Sequence, residues 1–233
     1  MSTAIYGNVP CEFSQASLNA SFIAADTTKL KVVVDTQPAA AASGTQPLKQ
    51  GGCTVIDAVA TSNDSSAKEL QLWVGDVRTT VDTTATGVAA TTTSTITRVN
   101  GSWVTDGFRV GMLVALFAPL TLDANNCDGV VGTITTITAT TITVNGTPFT
   151  ANAAIPNGTR VCAMSPHYRV SIPANSGLSA TVPNVGLLDN GLDSSEIRSE
   201  LKLGTTNILA AGLGATASAL PAYVNVRASI ARY

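Results

Sequence analysis

The chain has 233 residues, with 13 Lys or Arg, 15 Asp or Glu, a charged fraction of 12% and a formal net charge of −2. That is about half the roughly 25% charge of an average soluble domain, and the near-neutral balance excludes the basic stripe a nucleic-acid binder needs. An apolar content of 45% excludes a disordered chain, and no apolar run reaches the roughly 18 residues of a membrane span.

Residues 1–28 are polar and lack periodicity, so they are expected to form an N-terminal extended arm; Met1 to Asn8 has no basic-then-apolar layout of a secretory signal. Lys29 to Val34 (KLKVVV) predicts a strand, and Ala39 to Pro47 a loop, because Ser, Gly and Pro follow the alanines. Cys53 to Thr61 and Lys68 to Val74 predict strands separated by the turn cluster Ser62-Asn-Asp-Ser-Ser. In the second, Leu70, Leu72 and Val74 alternate with Gln71 and Trp73, the pattern of a half-buried strand.

The composition changes at Asp82, where Thr83-Thr-Ala-Thr-Gly opens a stretch rich in Thr, Gly and Val. Thr95–Val99, Leu113–Phe117, Val130–Thr138, Thr141–Val144 and Arg160–Met164 predict five short strands, the number expected of a small antiparallel barrel or sandwich. Asn100-Gly101, Asn145-Gly146 and Asn157-Gly158 are the steps that two-residue hairpin turns prefer. Residues 83–165 thus read as an inserted small β domain, flanked by 29–82 and 166–233 as the two parts of one main domain. In the second part, Tyr168–Ile172 and Tyr223–Ala231 alternate as strands. At most one short helix is expected, near Ser194–Leu203, with Asp193 as cap, Glu196 at the capping-box position and Gly204 as terminator. The fold class is all-β.

Candidate chemistry is sparse. Cys11, Cys53, Cys127 and Cys162 show no metal-ligand spacing. Position permits the pairs Cys11–Cys53 and Cys127–Cys162, but without a secretion signal reduced, buried thiols are expected. His167 is the sole histidine; lacking a nucleophile elbow, it is expected at a hinge or interface. Asp123-Ala-Asn-Asn-Cys-Asp-Gly129 resembles a calcium loop, yet Cys127 replaces an oxygen ligand and no bidentate Glu follows, so a polar turn is expected. Gly212-Leu-Gly-Ala-Thr-Ala217 fits a dinucleotide fingerprint nominally but lacks a βαβ context, and reads as a flexible loop. Only four Glu occur, so paired carboxylates for glycoside hydrolysis have little to draw on. Five N-x-S/T sequons, Asn100-Gly-Ser102 among them, follow from Ser and Thr abundance. Trp73 is out of phase with its strand's leucines and is expected to face a second core or an interface; Trp103 and Phe108 suit a core role. No catalytic, cofactor-binding or metal site is assigned, and no enzyme activity is expected.

Cys53 to Val74, Tyr168 to Gly177 and Leu187-Leu-Asp189 resemble small β-sandwich virion proteins of tailed bacteriophages, the capsid decoration or cement proteins. The resemblance covers about half the chain. The 85 or so residues between the matching strands, among them Gly101 to Gly111 and Val130 to Val144, look like small β modules recurring in phage tail and capsid proteins. The resemblance implies a jelly-roll-like antiparallel sandwich, with an inserted small β domain, that belongs to the virion and binds the exterior of the assembled capsid, made in the host bacterial cytoplasm. It implies the major capsid protein and further copies of the chain, as a trimer or dimer, for partners; composition and motifs give no nucleic-acid, membrane or cofactor partner. The arm would cross an adjacent subunit. A tail tube or adaptor subunit and a carbohydrate-binding adhesion module are the rival readings. Thr-rich faces with few ions to desolvate are expected to be buried between copies or against a shell.

Overall fold

The structure is a computed structural model that describes residues 18–22, 29–36, 53–82, 86–117, 129–149, 151, 155–177, 181–182, 185–187, 201–214 and 224–232. Fourteen strands follow in chain order: β1 Leu18–Phe22, β2 Lys31–Asp35, β3 Cys53–Ser62, β4 Lys68–Thr80, β5 Ala89–Thr92, β6 Thr95–Thr97, β7 Leu113–Phe117, β8 Val131–Ile137, β9 Thr141–Val144, β10 Arg160–Ile172, β11 Val185–Gly186, β12 Leu201–Leu203, β13 Asn207–Leu213 and β14 Val224–Arg232. All pairings between them are antiparallel. Among the described residues there is no helix, and the fold is all-β and sandwich-like.

One sheet runs β1-β14-β3, with β11 and β12 both on the far side of β3; the other has nine strands in the order β2-β13-β4-β10-β7-β8-β9-β6-β5. The first packs on the β2-β13-β4-β10 part of the second. The shared core takes Val55 and Ala60 from β3, Leu70 and Leu72 from β4, Leu209 and Ala211 from β13, and Val224 and Val226 from β14. Alternation dictates this: successive side chains of a strand point to opposite faces, so the even positions of early β4 share one apolar side. Burial of Leu70 or Leu72 stabilises the fold by about 2 kcal/mol each.

The chain leaves the sandwich at the end of β4 and returns along β10. Both are 13 residues long and pair throughout, with Arg160 opposite Thr80 and Ile172 opposite Lys68. Only Arg160–Met164 of β10 also pairs with β7, so β5 to β9 extend the sheet from one end of β10. These strands curl around a second core of Ile96, Trp103, Phe108, Leu116, Ile134 and Ile142. Gly132 permits the curl, since a Cβ there would lie 2.8 Å from Val144. Beyond β5, backbone bonds from Phe149 to Thr93 (2.9 Å) and from Ile155 to Val88 (2.9 Å) close the module on its far side.

Several sequence expectations change. Leu201–Leu203, placed in the helix, is instead β12, paired with Cys53–Val55 of β3; the rest of that helix lies outside the described residues. Gly212 and Leu213, read as a loop, belong to β13 and pair with Gln71 and Leu70; residues 215–217 are outside the described set. The Asn-Gly steps are not two-residue hairpin turns: Gly101, Gly146 and Gly158 have φ of 83°, 72° and 81°, but their asparagines do not have positive φ. The β8–β9 hairpin turns at Thr138 to Thr141, where the Thr138 N–H donates to the Thr141 carbonyl (2.8 Å) and the Thr141 N–H to Thr138 Oγ1 (3.0 Å). The sheet also takes in Leu18–Phe22, from the segment read as an arm, by pairing β1 with β14.

Candidate functional site

Between the two cores, on one face of the nine-stranded sheet, lies a groove of about 520 Å³, within the size range of ligand sites. Its floor follows from strand periodicity. Val74 faces the sandwich core, Asp76 is the next residue on that side of β4, and Ser165 and Ala163 stand opposite them on β10. Ala163 already packs against the second core. Met112 walls one side and Asn207 the other.

Arg78 follows Asp76 onto the same face by alternation and lines the groove. It sits at a bulge: Thr79 pairs with Val161 and Val77 with Cys162, which leaves Arg78 as the extra residue on β4. Arg78 Nη2 meets Asp76 Oδ2 at 2.9 Å, with both side chains about a third exposed, and Thr206 Oγ1 donates to Asp76 Oδ1 at 3.0 Å. Asn207 is held by its own turn, accepting from the Gly204 N–H at 2.8 Å. Asp76 is the groove's one carboxylate, and no His or Cys lines it. Its lining thus combines an ion pair, the Ser165 hydroxyl and the Met112 and Met164 side chains, with no base beside a nucleophile.

Under the floor, burial pushes the Cys162 thiol up to about 12 from 9.0; the Arg160 charge opposes this and that of Asp76 adds to it. Arg160 is lowered by its own burial, with the Cys162 thiolate working in the other direction. The sign for stability follows directly. Below pH 9 both folded and unfolded thiols are protonated and the preference for the folded state is fully present. Between about 9 and 12 only the unfolded thiol ionises, so stability falls, by up to about 1.4 kcal/mol per pH unit. The difference between wild type and Cys162→Ala in denaturant unfolding should therefore be flat to pH 9 and steepen above it. A pH-independent difference would contradict the burial.

Cys162 is a free, buried thiol and Cys53 is buried, while Cys11 and Cys127 lie outside the described residues. His167 lies inside β10 as the exposed bulge residue, with Pro166 opposite Trp73 and Tyr168 opposite Leu72. Trp73 is half-buried on the sheet face away from the sandwich core, packed with Val77, Met164 and Ile208. Trp103 and Phe108 are fully buried, edge to face at 5.8 Å and 80°. Residues 123–128 of the calcium-like loop lie outside the described residues; among the described residues, no group of three or more His, Cys, Asp or Glu that could hold a metal ion occurs. No described helix is long and apolar enough to cross a membrane.

A fastening cluster joins the inserted module to β4. Asp106 accepts from both Arg98 Nη1 and Thr79 Oγ1, the Arg98 guanidinium stacks 4.5 Å above the Trp103 ring, and Arg98 Nε donates to the Asn100 carbonyl at 2.6 Å. Neither Asp76–Arg78 nor this cluster stands out in the sequence; the available signal was an opposite-charge pair two apart in an extended segment, which places both on one face. No family model, no curated protein and no solved structure matches the chain.

Proposed function

We propose that this chain is a structural subunit of a tailed-phage virion, a capsid decoration protein that binds the assembled shell from outside and bridges neighbouring capsomers. The observation that carries this reading is an ion-free sheet surface: β5, β6, β8 and β9 contain no charged residue and present Thr92, Thr95, Thr143 and Thr136 outward. Such a surface is buried without desolvating ions. Cement action asks for no chemistry. A protein that binds only the assembled lattice stabilises it by mass action, and symmetric copies add avidity. The major capsid protein and further copies of the chain are the partners this reading requires.

The adhesion alternative needs exposed aromatic rings, and Trp103 and Phe108 are occupied in the core. The tail tube or adaptor alternative is separated by position. In density of the intact virion, the chain is expected on the outer surface of the capsid lattice; density for it in the tail instead would overturn the decoration reading.

A further inference from the structure

On the outer side of the inserted module, Thr92, Thr95, Thr143 and Thr136 form one row across four adjacent strands, because Thr92 is opposite Thr95, Thr95 opposite Thr143, and Thr143 opposite Thr136. Ala89, Thr97 and Thr141 form the next row. The alternation of β6 then continues: Ile96 and Arg98 point inward and are buried, while Val99 points outward and is 73% exposed, the largest exposure among the large hydrophobic side chains described. The face therefore combines hydroxyls and methyls with a protruding valine and carries no charge.

We propose that this face pairs with the same face of a second copy about a local two-fold axis. A hydroxyl both donates and accepts, so threonines from two copies satisfy one another in either sense. An uncharged face meets its own image without the like-charge repulsion that a charged face brings to an isologous contact. Extent sets the strength. Four strands at about 4.8 Å and five residues at about 3.3 Å give roughly 300 Å² per copy, against the roughly 800 Å² per partner of a stable interface. Pairing is thus weak between free molecules and strong only where copies are held close, at an effective concentration of about 1 mM. That last condition rests on the decoration reading above.

Sedimentation velocity of the full chain up to about 1 mM tests the contact. A dimer population that grows with concentration is expected, weakened roughly tenfold or more in Thr97→Lys/Thr143→Lys and unchanged in Arg169→Glu, an exposed residue of the sandwich part of β10. Circular dichroism and thermal unfolding establish that the lysine variant is folded. A wild type that stays monomeric throughout, or association that a folded lysine variant retains in full, overturns the proposal. Titration of labelled chain onto phage shells separates its failure from that of the decoration reading. Unchanged sparse binding with loss of cooperative filling in the lysine variant supports pairing between copies. Loss of sparse binding shows that the face meets the shell, and identical filling shows that it is not used; both overturn the pairing and leave decoration standing. If the wild type itself binds no shell, decoration fails, and self-association in solution still decides the pairing.

Discussion

Trp103→Ala is expected to cost about 3–5 kcal/mol and to unfold the inserted module before the sandwich. Trp103 is wholly buried and touches both halves of its surroundings: its ring meets the edge of Phe108 and lies under the Arg98 guanidinium. Removing the ring leaves a cavity the size of an indole. It also strips the apolar cover from Arg98, whose ion pair with Asp106 ties residues 98–106 to Thr79 of β4. A buried pair that loses its packing contributes little to offset its desolvation. Trp103→Phe is the informative control. The buried indole N–H has no acceptor, so Phe forfeits volume and no hydrogen bond, and should cost well under half as much. Urea unfolding followed by circular dichroism, with hydrogen exchange to locate the loss, measures both. An alanine variant within about 1 kcal/mol of wild type would show that the ring is not the centre of this core.

A single methyl group at Gly129 is expected to destabilise the protein by about 3 kcal/mol. Gly129 has φ of 71°, a conformation costing other residues about 1–2 kcal/mol. Its environment adds more, because a Cβ there would fall on the carbonyl oxygen of Leu30. That approach is fixed by two backbone hydrogen bonds of 2.7 Å, from the Leu30 N–H to the Gly129 carbonyl and from the Gly129 N–H to the Leu116 carbonyl. Moving the strands apart to admit a methyl sacrifices bonds worth about 1 kcal/mol each and disturbs the Lys29–Val130 bridge beside them. The denaturant midpoint of Gly129→Ala reads this directly; a midpoint equal to wild type would rule out the close approach.

The strands with clear alternation were legible. β3, β9 and β14 lie within a residue or so of their expected bounds because one face of each packs on apolar neighbours and the other does not; β7 is buried on both faces, Val114 and Leu116 in one core and Ala115 and Phe117 in another, and was legible as a short apolar run. β13 was not legible, for a physical reason. It lies between β2 and β4 and is buried on both faces, Leu209 and Ala211 in the sandwich core and Ile208 and Ala210 on the other side. A doubly buried strand loses the period of two, and NILAAGL shows none. The groove was hidden by a glycine. β4 was expected to end at Val74, before Gly75, yet Gly75 is a mid-strand residue required by packing: a Cβ there would stand 2.7 Å from Ile208 and 2.8 Å from Met164. Asp76 and Arg78 therefore lay outside any expected strand. The end of the expected helix differs for another reason. Its capping residues are local signals worth about 1 kcal/mol, and at Leu201–Leu203 pairing with β3 outweighs them.

The opposition of Thr80 and Arg160 across β4 and β10 bears on how such a chain could be put together. The two points where the sequence departs for β5 and returns from β9 are side-by-side neighbours on one ladder, so a short reverse turn would join them without rethreading any strand. The module is seated on a hairpin like a cassette, and the nine flanking strands pair with one another independently of where it leaves and returns. Its outer face can then diverge with each new neighbour at no cost to the sandwich that carries it.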